Sequence, residues 1–301
     1  MRDADEHTIT RAVVDRFADT PDPRLKAIVT SLVRHLHDFV RDVDLTFEEW
    51  QAGIAYLTRT GQTCDAHRQE FILLSDVLGV SMLVDAVNHR MPEGATETTV
   101  LGPFYVEAAP ERENGADIAG PLEGTPLLVT GSVAAADGRP LAGAAVDVWH
   151  ADEDGAYDVQ RLDALGGLAG RARFRTDARG RFHFWTIMPA WYPIPDDGPV
   201  GELLKATGRH PNRPAHMHFM IAAEGFETLI THVFSADSPW LDSDAVFGVK
   251  TSLIADFAEH PPGTAPDGRA MERPYRHLTY DFGLGAAKAG RSGSVRDQGP
   301  T

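Results

Sequence analysis

The sharpest chemical signal in the sequence is the run Arg213-Pro214-Ala215-His216-Met217-His218-Phe219. On a β-strand, residues two apart share a face. His216 and His218 would then present two imidazoles side by side, a chelating arrangement, with Met217 and Phe219 turned into the core. A bare His-x-His also fits one core histidine and one surface histidine. Two further stretches carry phenols. Trp149-His150-Ala151-Asp152 leads through a turn at Gly155 to Tyr157, and Met188-Pro189-Ala190-Trp191-Tyr192-Pro193-Ile194-Pro195 sets Tyr192 among aromatic and proline residues. Each tyrosine follows the end of a predicted strand, where sites gather on sandwich scaffolds. A tyrosine so placed is more often an ordinary packing residue with a satisfied hydroxyl. Spacing alone does not establish that the four side chains meet. If they do, two phenolates and two imidazoles bring two negative charges and hard-to-borderline donors. That set favours a trivalent ion, iron(III), over zinc, which takes Cys, His and carboxylate.

Elements of two kinds must position these residues. Up to about residue 90 the apolar residues follow helical spacing. Asp22-Pro23 supplies a cap and a first-turn proline ahead of Leu25, Ile28, Leu32, Leu36 and Val40. Thr46 and Glu49 form a capping box before Trp50, Ile54 and Leu57. A single further helix is predicted from about Asp65 to His89. At Met91-Pro92-Glu93-Gly94 the texture changes and the apolar period drops to two. Strands are predicted over Leu127–Val133 and Ala145–His150. Arg171–Thr176 and Arg181–Ile187 read as a hairpin across Asp177–Gly180, and Pro214–Ile221 and Thr228–Phe234 as a pair around Gly225. Short strands at this spacing suggest a β-sandwich. The segment Pro189–Asn212, rich in Pro and Gly, reads as a long functional loop. The fold class expected is α+β, mainly β. Residues 1–95 would form an N-terminal helical linker or dimerisation domain, 96–284 a β-sandwich catalytic domain, and 285–301 a disordered tail without apolar period.

Composition narrows the partners. With 44 acidic against 28 basic residues, the net charge is −16. Such a chain repels nucleic acid and anionic membrane surfaces. The most apolar stretch, Phe71–Val87, is interrupted by Asp76 and Asp85, so no membrane insertion is expected. The N-terminus lacks the apolar core of a secretory signal, and a single cysteine, Cys64, allows no internal disulfide. Both point to the cytoplasm.

Four segments then carry a family resemblance: Leu101-Gly102-Pro103-Phe104-Tyr105, Asp147-Val148-Trp149-His150-Ala151, Trp191-Tyr192-Pro193-Ile194-Pro195 and Arg213 to Phe219. In order and approximate spacing the chain resembles the intradiol ring-cleavage dioxygenases, from roughly Asp22 to Phe282. The resemblance implies iron(III) held by Tyr157, Tyr192, His216 and His218. It implies that a 1,2-dihydroxylated ring is opened by O2 between its hydroxyl-bearing carbons, with Tyr192 leaving the metal as a base. Glu70 to Gly79, Thr231-His232-Val233-Phe234 and Leu241 to Lys250 look like the branch acting on hydroxyquinol, whose product is 3-hydroxy-cis,cis-muconate, the tautomer of maleylacetate. Catechol enzymes typically carry Gln at the His232 position.

By the same resemblance Arg213 stabilises carbanion character on the ring. Regular strand alternation would aim it away from the histidines, although Pro214 makes irregularity there plausible. The pocket wall implied is Leu73, Asp76, Val100, Leu101, Gly102, Pro103, Phe104, Ile194, Pro195, Arg213 and Val246. Asp76, a carboxylate in an apolar run, would bind a third ring hydroxyl. His232 would lie behind the metal ligands, with a core role the alternative. The N-terminal helices would make a homodimer holding a phospholipid-like amphiphile. Three other functions fit parts of the pattern: a catechol or chlorocatechol 1,2-dioxygenase, an extradiol or other ferrous oxygenase, and a non-catalytic β-sandwich binding module of the transthyretin-like type, which has no need of the two tyrosines and two histidines.

Overall fold

A computed structural model describes residues 3–65 and 68–287. The chain divides into two compact units between Gln62 and Thr63. The first holds α1 (Ile9–Asp15), α2 (Pro23–Asp42) and nearly all of α3 (Phe47–Thr63). Asp22 caps α2 by accepting the backbone N–H groups of Arg24 and Leu25, and Pro23 occupies the first turn, as expected. The Thr46–Glu49 capping box forms, each side chain accepting the other residue's backbone N–H. The apolar stripe of α2 lies on its surface, with Leu32 54% exposed.

The second unit opens with α4 (Glu70–Val77) and α5 (Val80–Asn88). One helix was expected here. The chain breaks at Leu78-Gly79 because Gly79 takes a left-handed backbone, φ 72°, and starts a new helix. The fully buried Glu70 ties α4 inward: it pairs with Arg68 at 2.8 Å and accepts the N–H of Val200 at 3.1 Å. Val200 lies in α7 (Pro199–Ala206), a helix inside the segment read as a loop. A short α6 (Leu162–Leu165) follows Tyr157.

Two sheets form the sandwich. The first is built from β1 (Pro126–Ala135), β4 (Arg181–Ile187), β10 (Phe257–His260) and β13 (Tyr275–Leu284), in the order β10-β13-β1-β4. The second uses β2 (Ala145–His150), β3 (Arg171–Arg175), β7 (His216–Ala222), β8 (Leu229–Ser235) and β9 (Ile254–Ala255), in the order β3-β2-β7-β8-β9. Two small ribbons complete the set: β5 (Tyr192–Pro193) with β6 (Asn212–Arg213), and β11 (Gly263–Thr264) with β12 (Ala270–Met271). β7 and β8 pair antiparallel, as the sequence predicts. β3 and β4 do not make the expected hairpin. β3 pairs with β2 and β4 with β1, so the turn at Asp177–Gly180 carries the chain from one sheet to the other. The reason is visible in the core, where Phe174 of β3 stacks on Phe184 of β4, centroids 4.9 Å apart, from opposite layers.

The core between the layers contains Val129, Val133, Val146, Val148, Phe174, Phe182, Phe184, Met217, Phe219, Phe282 and others. Burying one such phenylalanine contributes about 1.5–3 kcal/mol. β2 lies inside its sheet between β3 and β7, and its alternation separates two buried faces rather than core from solvent: Val146 and Val148 enter this core, and Trp149 the cluster around Tyr157 and Tyr192. The disorder read for 285–301 falls mostly outside the described residues. Its first residues, Gly285 to Ala287, are hydrogen-bonded to the Gly225–Glu227 turn.

Candidate metal centre

β7 is the platform. Its inward residues Met217 and Phe219 are fully buried in the sandwich core, so His216 and His218 share the opposite face. Their Nε2 atoms lie 3.2 Å apart. Tyr157, at the end of the loop that follows β2, brings its Oη to 2.8 Å from His218 Nε2 and 3.5 Å from His216 Nε2. Tyr192, on β5, places its Oη 3.3 Å from that of Tyr157. Four side chains from three separate stretches thus converge. All four are buried.

The spacing suits a single ion. Four donors on tetrahedral bonds of about 2.1 Å would lie about 3.4 Å from one another. The donor chemistry agrees. His216 Nδ1 donates to the Pro214 carbonyl at 2.7 Å, which leaves the Nε2 lone pair facing the cluster. Burial, reinforced by Arg213, pulls the His216 pKa down to about 3, and burial with the neighbouring imidazoles pulls His218 well below its ordinary value. Both rings are therefore neutral, the form that binds metals. Burial and then Tyr192 push the Tyr157 phenol well above its ordinary range, so a phenolate here requires a cation beside it.

Three aromatic contacts hold the cluster. Trp149 stacks on His218 at 4.7 Å and Phe104 on Tyr157 at 4.3 Å, while His232 meets His218 edge-on at 4.2 Å. His232 pairs directly with His218 in the β7–β8 register. It is 0% exposed and neither ring nitrogen makes a hydrogen bond of ordinary geometry, although the Val100 backbone acts as a weak hydrogen-bond partner that opposes the effect of burial on its pKa. A donor nitrogen from each of His216, His218 and His232 lies within 4.8 Å of the others. The sequence placed His232 behind the metal ligands, and it borders both.

Arg213 faces the histidines. The strand is interrupted: β6 ends at Arg213, Pro214-Ala215 bends the chain, and β7 begins at His216. Pairing of Tyr192 with Arg213 fixes the residue beside the phenol, and Arg213 Nη1 stands 3.3 Å from His216 Nε2. Burial works against its charge, but the Asp244 carboxylate and two nearby phenols hold its pKa above the ordinary value. Two ion pairs at this end were not legible in the sequence. Asp244 grips Arg213, and Asp158 grips Arg171 with both oxygens. Arg171 also donates to the Phe104 carbonyl at 2.9 Å, so the Asp158 pair ties the Tyr157 loop to the residue stacked on Tyr157. Asp158 directly follows Tyr157, but nothing in its spacing points to Arg171 or pairs Arg213 with Asp244.

The sequence-predicted pocket residues fall into two groups. Leu73, Ile194 and Val246 pack with Val77, Val200 and Leu204, while Leu101 and Phe104 pack against Tyr157 and Tyr192. A side chain on Gly102 would meet the His218 ring at 3.2 Å. Pro103 and Pro195 are exposed. Asp76 is half-buried. Burial raises its pKa, a Ser81 hydrogen bond opposes this, and Arg213 and Asp244 both act on it. His150, adjacent to the Tyr157 loop in sequence, bonds to the Ala151 carbonyl and to Thr186 Oγ1, holding the end of β2.

Comparison with known proteins extends over nearly the whole chain. Residues 22–96 match the model for the catechol dioxygenase N terminus, and residues 100–285 match the dioxygenase model. A 6-chlorohydroxyquinol 1,2-dioxygenase of Cupriavidus pinatubonensis is 60% identical, over 94% of this chain and 99% of its own length. A hydroxyquinol 1,2-dioxygenase of Rhodococcus opacus is 52% identical over 93% of each. The solved structure of hydroxyquinol 1,2-dioxygenase from Pseudomonas putida superposes with a TM-score of 0.88 at 51% identity, covering 94% of this chain and 99% of that one. Among the described residues no helix is long and apolar enough to cross a membrane.

Proposed function

The chain belongs to the intradiol ring-cleavage dioxygenase family, and from that membership we propose that it opens hydroxyquinol, benzene-1,2,4-triol, between its two adjacent hydroxyl-bearing carbons. Both atoms of O2 enter the product, 3-hydroxy-cis,cis-muconate, which tautomerises to maleylacetate. Tyr157, Tyr192, His216 and His218 hold iron(III). The 2.8–3.5 Å separations of Tyr157 Oη from the other three donors carry this reading, together with a neutral His216 imidazole and a Tyr157 phenol that needs a cation to ionise. Iron(III) held by these residues would supply Lewis acidity toward an electron-rich aromatic substrate.

The protein residues divide the remaining work. Tyr192 Oη is placed to accept one of the two hydroxyl protons of the substrate, a role open to a phenolate. The Arg213 guanidinium meets negative charge that builds on the ring. Asp76 accepts a hydrogen bond from the third hydroxyl, and Val100, Leu101, Gly102, Pro103, Phe104, Leu73, Ile194, Pro195 and Val246 enclose the ring. His232 lies behind the metal ligands and fixes their orientation. Residues 96–284 constitute the catalytic domain. Residues 1–95 form the helical region through which two copies associate, its half-exposed apolar stripe in α2 covered by the partner and by an amphiphile such as a phospholipid. The enzyme works in the cytoplasm.

An absorption spectrum tests the metal assignment. Iron-loaded protein should carry a broad visible phenolate-to-iron band that shifts on anaerobic addition of hydroxyquinol. Iron-replete protein without visible colour would remove Tyr157 and Tyr192 from the ligand set. Turnover of hydroxyquinol and catechol side by side tests the substrate, and a preference for catechol would overturn it.

A further inference from the structure

Asp244 makes four polar contacts, two to Arg213 and two to the backbone of its own loop. Its Oδ1 accepts from Arg213 Nε at 3.0 Å and from the Val246 N–H at 3.4 Å. Its Oδ2 accepts from Arg213 Nη2 at 3.2 Å and from the Gly248 N–H at 2.9 Å. Both partners of the ion pair are 4% exposed. A two-point contact on Nε and Nη2 fixes the plane of the guanidinium as well as its place. It also consumes one edge of the fork and leaves Nη1 as the group that faces His216 Nε2 at 3.3 Å.

The loop carrying Asp244 is shaped around this pair. A Cβ on Gly248 would stand 3.0 Å from Arg213 Nη2 and 3.1 Å from Asp244 Oδ2, so any side chain there would press on the ion pair. Phe247 sits in the left-handed region at φ 59°, a conformation a bulky residue adopts only when its surroundings impose it. Those surroundings include Arg209, whose guanidinium lies 4.9 Å from the Phe247 ring and whose Nη2 donates to the Ala245 carbonyl at 2.9 Å. A loop merely closing the fold has no need of a buried carboxylate: replacing a buried ion pair with apolar residues is often neutral or stabilising.

We propose that Asp244 is the positioning residue for Arg213, fixing the guanidinium so that Nη1 is aimed at the ring bound beside His216. The inference rests on the role given to Arg213 above. Asp244 does not touch substrate; it acts through the arginine. Misplacing a charged group by about 1 Å in a preorganised site costs on the order of a hundredfold in rate.

The experiment is a double-mutant cycle on the iron-loaded enzyme, with iron content and the visible band recorded for every variant. Asp244→Asn is expected to keep iron and colour, lower kcat on the order of a hundredfold, and change KM by less than about threefold. Arg213→Met should lower kcat at least as much. The combined variant should be no slower than Arg213→Met, within about twofold, because the carboxylate has nothing left to position. Losses that multiply, or a kcat preserved in Asp244→Asn, would overturn the proposal. Where Asp244→Asn does not fold, Arg213→Met with Asp244→Leu leaves no uncompensated charge. It should match Arg213→Met alone, and a further loss counts against the idea. A wild-type protein without band or turnover would instead sink the function itself, before any variant is compared.

Discussion

The N-terminal helix α2 and the metal-centre end of the sandwich invert the usual arrangement of residues in opposite ways. In α2 the residues Leu25, Ile28, Leu32 and Leu36 are about half exposed. At the centre, Arg213, Asp244, Asp158 and Arg171 are each buried, beside three buried histidines. Charged residues are almost never fully buried unless paired, and exposed apolar stripes are seldom left uncovered. The contrast teaches that each region is completed by something else. On the function proposed above, a cation and an ionised substrate would complete the centre, and a second surface would cover the helix. Four experiments break or sharpen that pairing of opposites.

The largest effect is expected at the four proposed metal ligands. His218→Ala removes the imidazole closest to Tyr157 Oη, and the variant should lose bound iron, visible colour and at least about a thousandfold in kcat/KM. Metal analysis and the spectrum check it. A coloured, active variant would mean that the buried histidines serve packing rather than an ion. Next in size is Asp158→Ala, which strands the Arg171 guanidinium in the interior. Removing one partner of a buried pair costs about 3–5 kcal/mol. Urea unfolding of the iron-loaded protein should show this loss, and a change under about 1 kcal/mol would place the Asp158 pair with ordinary surface bridges.

The third experiment addresses the helix. Leu32→Asp on α2 should weaken self-association on the order of a hundredfold, from the lost burial of one leucine and the cost of burying a carboxylate. Sedimentation velocity across a range of concentrations gives the number. The fold itself should lose under about 0.5 kcal/mol, since the side chain is exposed in the single chain. Association that survives intact would move the subunit contact away from this stripe.

What the sequence reveals about the two regions differs for physical reasons. The helical starts at Asp22 and Thr46 are local chemistry, readable within four residues, and both form as expected. His216 and His218 share a face because a strand alternates by two, which is also local. Most of the failures are non-local, the break at Gly79 and the helix α7 being local exceptions. The turn at Asp177 looks like any hairpin turn; only the stacking of Phe174 on Phe184 across the layers decides that the strands part. Gly79 lies inside an unbroken apolar period, and its left-handed backbone is invisible to periodicity. β13 supplies the parallel partner of β1 from nearly 150 residues away, a pairing no window contains. Asp244 and Arg171 escaped for the same reason, since an ion pair across 31 or 13 residues leaves no pattern.

The smallest effect is the most discriminating, because it tests substrate rather than metal. Asp76 lies between the two kinds of region: it comes from an apolar run of α4, yet Arg213 and Asp244 both act on it. Burial and Asp244 favour its protonated form, while Ser81 and Arg213 favour the carboxylate, and either form can accept a hydrogen bond from a ring hydroxyl. Hydroxyquinol brings a third hydroxyl and catechol does not. A hydrogen bond to a group that would otherwise be left unpaired is worth about 1–3 kcal/mol. Asp76→Ala should therefore lower kcat/KM for hydroxyquinol on the order of tenfold to a hundredfold while changing that for catechol by less than about threefold. Steady-state kinetics on both substrates with one iron-loaded preparation provide the ratio. Equal losses would assign Asp76 to the electrostatics of Arg213 rather than to the ring, and the preference for a triol would then have to reside in the apolar wall of Leu73, Ile194 and Val246.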